Sequence, residues 1–326
     1  MNMTINKKSD ATKNDIRRDI EQINEGQTKI MLDNGILLPN ICYGSPIIGI
    51  NTQNKTAMIK SYIGKILKLN LKEIEKASKL SKIIRRMKNV NEKSLIDTSR
   101  AYGASEFFIG KSIKGNRNKY FIVTKVSNSQ QYSGNIKEGL EKSLEQLHTD
   151  FVDCLLMHWP VKDLFLDTWK QMEECYEQGL CKSIGVCNCN IHHLEEIKSI
   201  AKIKPMINQF ECHPLFTQNE LREYCKKENI KIMAYTATAR MDERLKKTCI
   251  LDIAKKYHKT IAQIILRWHI QIGNIPIFST TNWKHYIENI NVFDFNLTKD
   301  EIDNITAINI NSRLRYDPDN CDFKKL

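Results

Sequence analysis

Two hydrophobic rhythms take turns along this chain. Short apolar runs at residues 41–44, 95–97, 120–124, 152–157, 183–186, 206–209, 231–235 and 274–278 read as buried strands. Between them, apolar residues recur every three or four positions over 106–113, 135–147, 164–178, 191–202, 217–228 and 260–271, the spacing that gives a helix one apolar face. Strand and helix alternating in this way predict eight parallel strands joined by crossover helices and closed into one barrel. Ahead of the first strand, apolar segments at 28–32 and 36–39 flank Asp33-Asn34-Gly35, and Asn-Gly between two such segments predicts a hairpin.

Composition narrows the class. A chain of 326 residues with 41% hydrophobic residues can fill a single α/β barrel. No apolar run approaches the roughly 20 residues of a membrane span. Residues 1–26 are polar and charge-balanced, without a hydrophobic signal core, so a disordered extension, a single domain over 27–326 and a cytoplasmic location are expected. Ten cysteines without regular spacing suit free thiols in a reducing compartment. The net charge of +12 is concentrated between Lys55 and Lys88, where eleven Lys or Arg face only Glu73 and Glu75. Tyr62 is the one aromatic residue in that stretch, so specific nucleic-acid contact is not expected.

The candidate chemistry lies where the strands end. The run 95–97 closes in Asp97-Thr98-Ser99, and Tyr102-Gly103 then turns the chain into a helix. Strands of a parallel barrel all end at one face, so Asp97, Lys125 and His158, from three successive strand ends, come within reach of Tyr102. Taken singly, each has a structural explanation: a helix cap, a solvated charge, a satisfied core histidine and a rim aromatic. Four of them in order at matching strand ends point to a site.

The run Asp97-Thr98-Ser99-Arg100-Ala101-Tyr102-Gly103, with Glu106 after it, resembles the signature of the aldo-keto reductases. Four later segments resemble further motifs of that family in the same order: Phe121-Ile122-Val123-Thr124-Lys125, Leu155-Leu156-Met157-His158-Trp159-Pro160, Ser183-Ile184-Gly185-Val186-Cys187-Asn188, and Asn208-Gln209-Phe210-Glu211-Cys212-His213-Pro214. The resemblance implies a (β/α)8 TIM barrel whose hairpin closes the bottom, and an NADPH-dependent enzyme that reduces aldehydes or small ketones to alcohols. Against the family's pattern, the stretch between the first and second barrel strands is long. It carries helical spacing at Ile59, Ile63, Ile66 and Leu67 and again at Ile74, Ala77, Leu80, Ile84 and Met87, so one helix belongs to the outer ring and about 46–70 forms a basic, lineage-specific insertion. The ending Arg313-Leu314-Arg315-Tyr316-Asp317-Pro318-Asp319 resembles the short tail of bacterial-type members such as diketogluconate or methylglyoxal reductases. It implies an open site, a small carbonyl substrate and a monomer.

Carried over by position, Tyr102 gives its proton to the carbonyl oxygen, Lys125 lowers the phenol's pKa, Asp97 holds Lys125, and His158 orients the carbonyl as a second donor. Tyr43 and Trp159 are expected to line the pocket. The hydride needs a cofactor, and no G-x-G-x-x-G follows a strand. The resemblance implies instead an extended nicotinamide dinucleotide across the barrel mouth, with Asn188 and Gln209 on the carboxamide, Cys187 beside them, Tyr235 stacked on the ring and Thr236 along the pyrophosphate. Ser279, Thr280, Lys284, His285, Glu288 and Asn289 fall at the positions that hold the far end. Cys187 replaces the usual serine, Thr236-Ala237-Thr238-Ala239 replaces a Ser-Pro-Leu loop, and Ser279 and His285 replace the lysine and arginine that grip the 2′-phosphate. NADPH is the first expectation and NADH the alternative.

Cys187-Asn188-Cys189-Asn190-Ile191-His192-His193 places two thiols and two imidazoles together, yet a strand end and a helix start aim them apart, and no metal is expected. The altered cofactor positions motivate a rival reading, a catalytically weak cofactor-binding subunit for redox sensing or scaffolding. The intact Asp97, Tyr102, Lys125 and His158 argue against it.

Overall fold

The computed structural model describes residues 29–45, 71–90 and 92–325. The extension expected over 1–26 and the insertion expected over 46–70 lie outside the described residues. The chain opens with a hairpin of β1 (Lys29–Met31) and β2 (Leu37–Pro39), paired so that Met31 faces Leu37. Gly35, at φ +80°, makes the turn.

Eight parallel strands follow: β3 (Cys42–Gly44), β4 (Ser94–Asp97), β5 (Tyr120–Val126), β6 (Cys154–Met157), β7 (Ile184–Cys187), β8 (Ile207–Glu211), β9 (Lys231–Tyr235) and β10 (Asn274–Phe278). Each pairs with the next and β10 closes on β3, giving the (β/α)8 barrel. The expected strand at 152–157 starts later, at Cys154, and Val152 makes only an isolated bridge to Cys181. Asp153 turns aside there, its carboxylate taking the Ile122 N–H at 2.9 Å and Arg117 at 2.7 Å.

The outer ring comprises α1 (Leu71–Met87), α2 (Ser105–Ile113), α3 (Asn128–Ser133), α4 (Ile136–Leu147), α5 (Phe165–Glu177), α6 (Ile191–Ile200), α7 (Asn219–Lys227), α8 (Cys249–Tyr257), α9 (Ile261–Gln271), α10 (Trp283–Ile290) and α11 (Lys299–Thr306). Of the two helical patterns before β4, the second is α1, which buries Ala77, Leu80, Ile84 and Met87 against the barrel. Capping boxes start α9, from Thr260 and Gln263, and α11, from Thr298 and Glu301. None of the described helices is long and apolar enough to cross a membrane.

The two-residue period of the strands sorts the core into two layers. Inside the barrel, Cys42, Leu95, Phe121, Val123, Cys154, Leu156, Ile207, Met233 and Ile275 pack with Leu32 and Leu38 of the hairpin, which thereby closes the bottom. Between barrel and helices, Tyr43, Ile96, Ile122, Leu155 and Ile184 pack with the helix faces. Burying each large side chain in these layers contributes roughly 1.5–3 kcal/mol. Gly185 keeps one inward position empty, because a Cβ there would come within 2.5 Å of the Ile207 carbonyl oxygen.

The alternation places one expected pocket residue elsewhere. Tyr43 does not face the barrel interior: its neighbour Cys42 packs inside, and Tyr43 is buried on the outer side of β3, where it borders a small cavity with Met87, Phe278 and Tyr286. Its hydroxyl donates to the Thr280 carbonyl at 2.7 Å and its ring meets Phe278 and Tyr286 edge-on, 5.8 and 5.6 Å away.

Candidate active site

The inward period that carries Leu95, Phe121 and Val123 ends, at the top of the barrel, in Asp97 and Lys125. Two residues beyond Leu156 on the same side comes His158, and the turn after β4 brings in Tyr102. Lys125 Nζ donates to Asp97 Oδ1 at 2.7 Å, to Oδ2 at 2.8 Å and to the Thr98 carbonyl at 2.7 Å. These bonds anchor the ammonium beside the Tyr102 hydroxyl, on which it acts by charge and by a side-chain hydrogen bond. Gln209 Nε2 donates to Asp97 Oδ1 at 2.8 Å. Lys125 Nζ lies 4.9 Å from the centre of the Tyr102 ring, and the His158 ring stands edge-on to that ring at 5.6 Å.

The electrostatics follow from this geometry. Burial opposes the charge of Lys125, but Asp97 and then Tyr102 outweigh it, and its pKa stands above the ordinary lysine value. Lys125 does lower the phenol's pKa, as expected, but does not decide the net shift. Burial holds Tyr102 above its ordinary value more strongly than Lys125 pulls it down, so the hydroxyl keeps its proton. His158 is pushed down to about 3 by burial and then by Lys125, leaving a neutral imidazole. Its Nδ1 lies 3.5 Å from Ser99 Oγ. Beneath the group, Thr124 Oγ1 donates to the buried Glu106 at 2.6 Å, and burial raises the Glu106 pKa despite that bond.

The residues expected to hold a cofactor fall in two places. Asn188, at φ +60°, follows β7; its Nδ2 donates to the His158 carbonyl at 2.9 Å and its Oδ1 accepts from the Tyr235 hydroxyl at 2.6 Å. Gln209 Oε1 has no partner among the described residues. Cys187 is buried, and burial lifts its thiol well above the ordinary value despite the opposing pull of Lys125, which makes it a poor nucleophile. Thr236 is half-buried at the end of β9. The remaining positions lie around α10. Thr280 Oγ1 accepts the Asn282 N–H at 3.1 Å, and Asn282 caps the helix by accepting the Lys284 N–H at 2.9 Å. Ser279, Lys284 and His285 are exposed, and Glu288 and Asn289 half-buried.

The C-terminal segment reaches the site. Fully buried Glu211, at the end of β8, accepts the Leu314 N–H at 2.7 Å and the Arg315 N–H at 3.0 Å, with His213 Nε2 at 3.0 Å. Asp319 accepts from Asn190 Nδ2 at 2.7 Å, and Asn128 Nδ2 donates to the Phe323 carbonyl at 3.0 Å. The Phe323 ring lies 6.3 Å from that of Trp159, whose carbonyl accepts from Gln131 at 2.9 Å. Glu211, Asp319 and Phe323 had no assigned role in the sequence reading.

The donor atoms of His192, His193 and Asp319 lie within 4.8 Å of one another. The Asn190 N–H donates to His193 Nδ1 at 3.2 Å, so the neutral ring carries its proton on Nε2, facing Asp319. Burial and then His192 hold the pKa of His193 down, at about 4. Asp319 Oδ1 lies 3.2 Å from His192 Nε2 and 3.6 Å from His193 Nε2, so the group brings the tail against the start of α6.

Comparison with known proteins accords with this arrangement. The family model for the aldo/keto reductase family matches residues 70–310. Glyoxal reductase of Bacillus subtilis (strain 168) is 42% identical over 185 residues, covering 56% of this chain and 66% of that protein. The 9,11-endoperoxide prostaglandin H2 reductase of Trypanosoma cruzi (strain CL Brener) is 41% identical over 230 residues, 69% of this chain and 81% of that one. Among solved structures, a Bombyx mori aldo-keto reductase in complex with NADP superposes with a TM-score of 0.74 at 26% identity, covering 90% of this chain and 96% of that one. An eight-stranded parallel barrel with this group at its strand ends, together with a family match over most of its length, places the chain in the aldo/keto reductase family of oxidoreductases.

Proposed function

We propose that this chain reduces aldehydes and small ketones, 1,2-dicarbonyls of the glyoxal type among them, to alcohols with NADPH, and that Tyr102 is the proton donor. The observation that supports this best is the buried Asp97–Lys125 pair beneath a phenol that burial keeps protonated. When bound, the reduced nicotinamide supplies a hydride to the carbonyl carbon; the carbonyl π electrons move to oxygen, and that oxygen takes the phenolic proton. Lys125 stabilises the phenolate left behind by its charge, and Asp97 keeps that charge in place. Neutral His158 has one ring N–H with which to orient the carbonyl oxygen.

The residues fit a nicotinamide. Gln209 Oε1 is an acceptor without a partner among the described residues, suited to a carboxamide N–H, and the Tyr235 hydroxyl bond to Asn188 steadies a ring suited to stacking. At the far end, exposed Lys284 is the cation offered to a 2′-phosphate, with His285 beside it. The test is consumption of NADPH and NADH by purified protein over a panel of dicarbonyls, aldehydes and ketones, with Tyr102→Phe in parallel. Turnover with NADPH that Tyr102→Phe removes supports the reading, whereas cofactor binding without turnover on any carbonyl overturns it.

A further inference from the structure

His269 is fully buried on α9 and has no part in the chemistry above. Its Nε2 lies 3.0 Å from the Ala237 carbonyl oxygen, and its Nδ1 lies 3.2 Å from Nδ2 of Asn274, the first residue of β10. A carbonyl only accepts, so Nε2 carries the proton. Burial pushes the pKa of His269 down to about 3, so the ring is neutral and Nδ1 is left to accept from the Asn274 amide. The tautomer is fixed from both ends.

The segment that His269 holds is strained. Thr236, Ala239, Arg240 and Met241 have φ of +53°, +48°, +54° and +56°. None is glycine, and each pays a steric penalty for that conformation. Its backbone bonds close on themselves or on its next residue: the Ala239 N–H to Thr236 at 2.7 Å, Met241 to Thr238 at 2.8 Å, and Asp242 to Ala239 at 3.1 Å. Among the described residues, the His269 bond is the one hydrogen bond that ties residues 236–241 to another element. Arg240, exposed at the tip, has no hydrogen-bond or ion-pair partner among the described residues.

We propose that His269, backed by Asn274, is a positioning residue: it fixes the Ala237 carbonyl and thereby sets loop 236–241, with unpaired Arg240, for the phosphates of the dinucleotide. The proposal rests on the reading of Tyr235 and Thr236 as cofactor contacts. Phosphate recognition by a loop depends on backbone groups and cations held in advance of binding. Buried Ala237 and Ala239 pack the base of this loop, and its one outward hydrogen bond sets the direction of the strained backbone above them.

The experiment compares wild-type protein with His269→Phe and His269→Gln by fluorescence titration with NADPH, steady-state kinetics and thermal unfolding. His269→Phe is expected to raise both Kd and KM for NADPH about tenfold, the worth of one hydrogen bond, while kcat falls much less. His269→Gln, which restores an N–H, recovers most of the affinity. NADPH affinity within about twofold of wild type in His269→Phe, with only a lower unfolding temperature, overturns the proposal. Where the variants do not fold, hydrogen exchange of the wild-type Ala239, Met241 and Asp242 amides decides. Protection without cofactor supports a loop already set, and free exchange overturns it. Wild-type protein that binds no NADPH removes the cofactor reading first, and this proposal with it.

Discussion

Lys125 holds both oxygens of Asp97, at 2.7 and 2.8 Å, and its ammonium lies 4.9 Å from the centre of the Tyr102 ring. With a further N–H on the Thr98 carbonyl, the lysine acts on the phenol through its charge first and through a side-chain hydrogen bond second.

Removing the phenol's proton therefore separates chemistry from binding. Tyr102→Phe is expected to lower kcat/KM by about 10²–10⁴ while cofactor affinity changes little. Stopped-flow reduction at saturating NADPH checks this, and a fall below tenfold would assign the proton elsewhere.

Asp97→Ala leaves a buried ammonium without its counter-ion. Unfolding in urea is expected to show a loss of about 3–5 kcal/mol, against a smaller loss for Lys125→Met/Asp97→Ala together. Equal losses in the single and double variants would mean that the pair carries no coupling.

Three histidines make the fold sensitive to acid. His158 and His269 stand at about 3 and His193 at about 4, all below the ordinary histidine value of 6.5. A lowered folded pKa means that the unfolded chain binds the extra protons. Their neutral state costs nothing above pH 6.5, and stability falls as the pH drops from there toward 4 and 3, by up to about 1.4 kcal/mol per histidine per pH unit. Denaturant midpoints taken from pH 7.5 to 4.5 measure the slope; His269→Gln and His193→Gln are each expected to flatten it. A profile flat between pH 6.5 and 4.5 would contradict the burial of these rings.

The tail gives a fourth expectation. Glu211→Gln replaces an acceptor of two backbone N–H groups with a side chain that is half donor, at a cost of about 1–3 kcal/mol. Limited proteolysis is expected to cut sooner near Leu314. Phe323→Ala leaves the Asp97–Lys125 group untouched and is expected to shift KM toward bulkier carbonyls. Unchanged KM over the panel would separate Phe323 from the pocket.

The barrel was legible because period-two strands and amphipathic helices repeat regularly, and strand ends share one face by topology. That brought Asp97, Tyr102, Lys125 and His158 together before any coordinates. Tyr43 went astray because a three-residue strand of Cys-Tyr-Gly has too few positions to reveal which side faces inward. The helices Cys249–Tyr257 and Trp283–Ile290 are not among the expected ones, since at nine and eight residues each is too short for a three-to-four period to stand out. The tail contacts were out of reach for another reason: Asn128 meets Phe323 across 195 residues, and neither a cap nor a period links them. The sign of the Tyr102 shift depended on burial, which a motif does not reveal.

The apolar floor under Asp97 and Lys125 has a kinetic consequence. Below the pair lie thiols and aliphatic side chains, and beneath those the hairpin's Leu32 and Leu38. Among the described residues of that cluster there is no hydroxyl or carboxylate along which a proton could hop to Tyr102 from the bottom of the barrel. On the proposed chemistry, a phenolate formed there recovers its proton from the mouth, the side by which product leaves. Reprotonation and product departure then share one doorway, and a solvent isotope effect on turnover would report on both together.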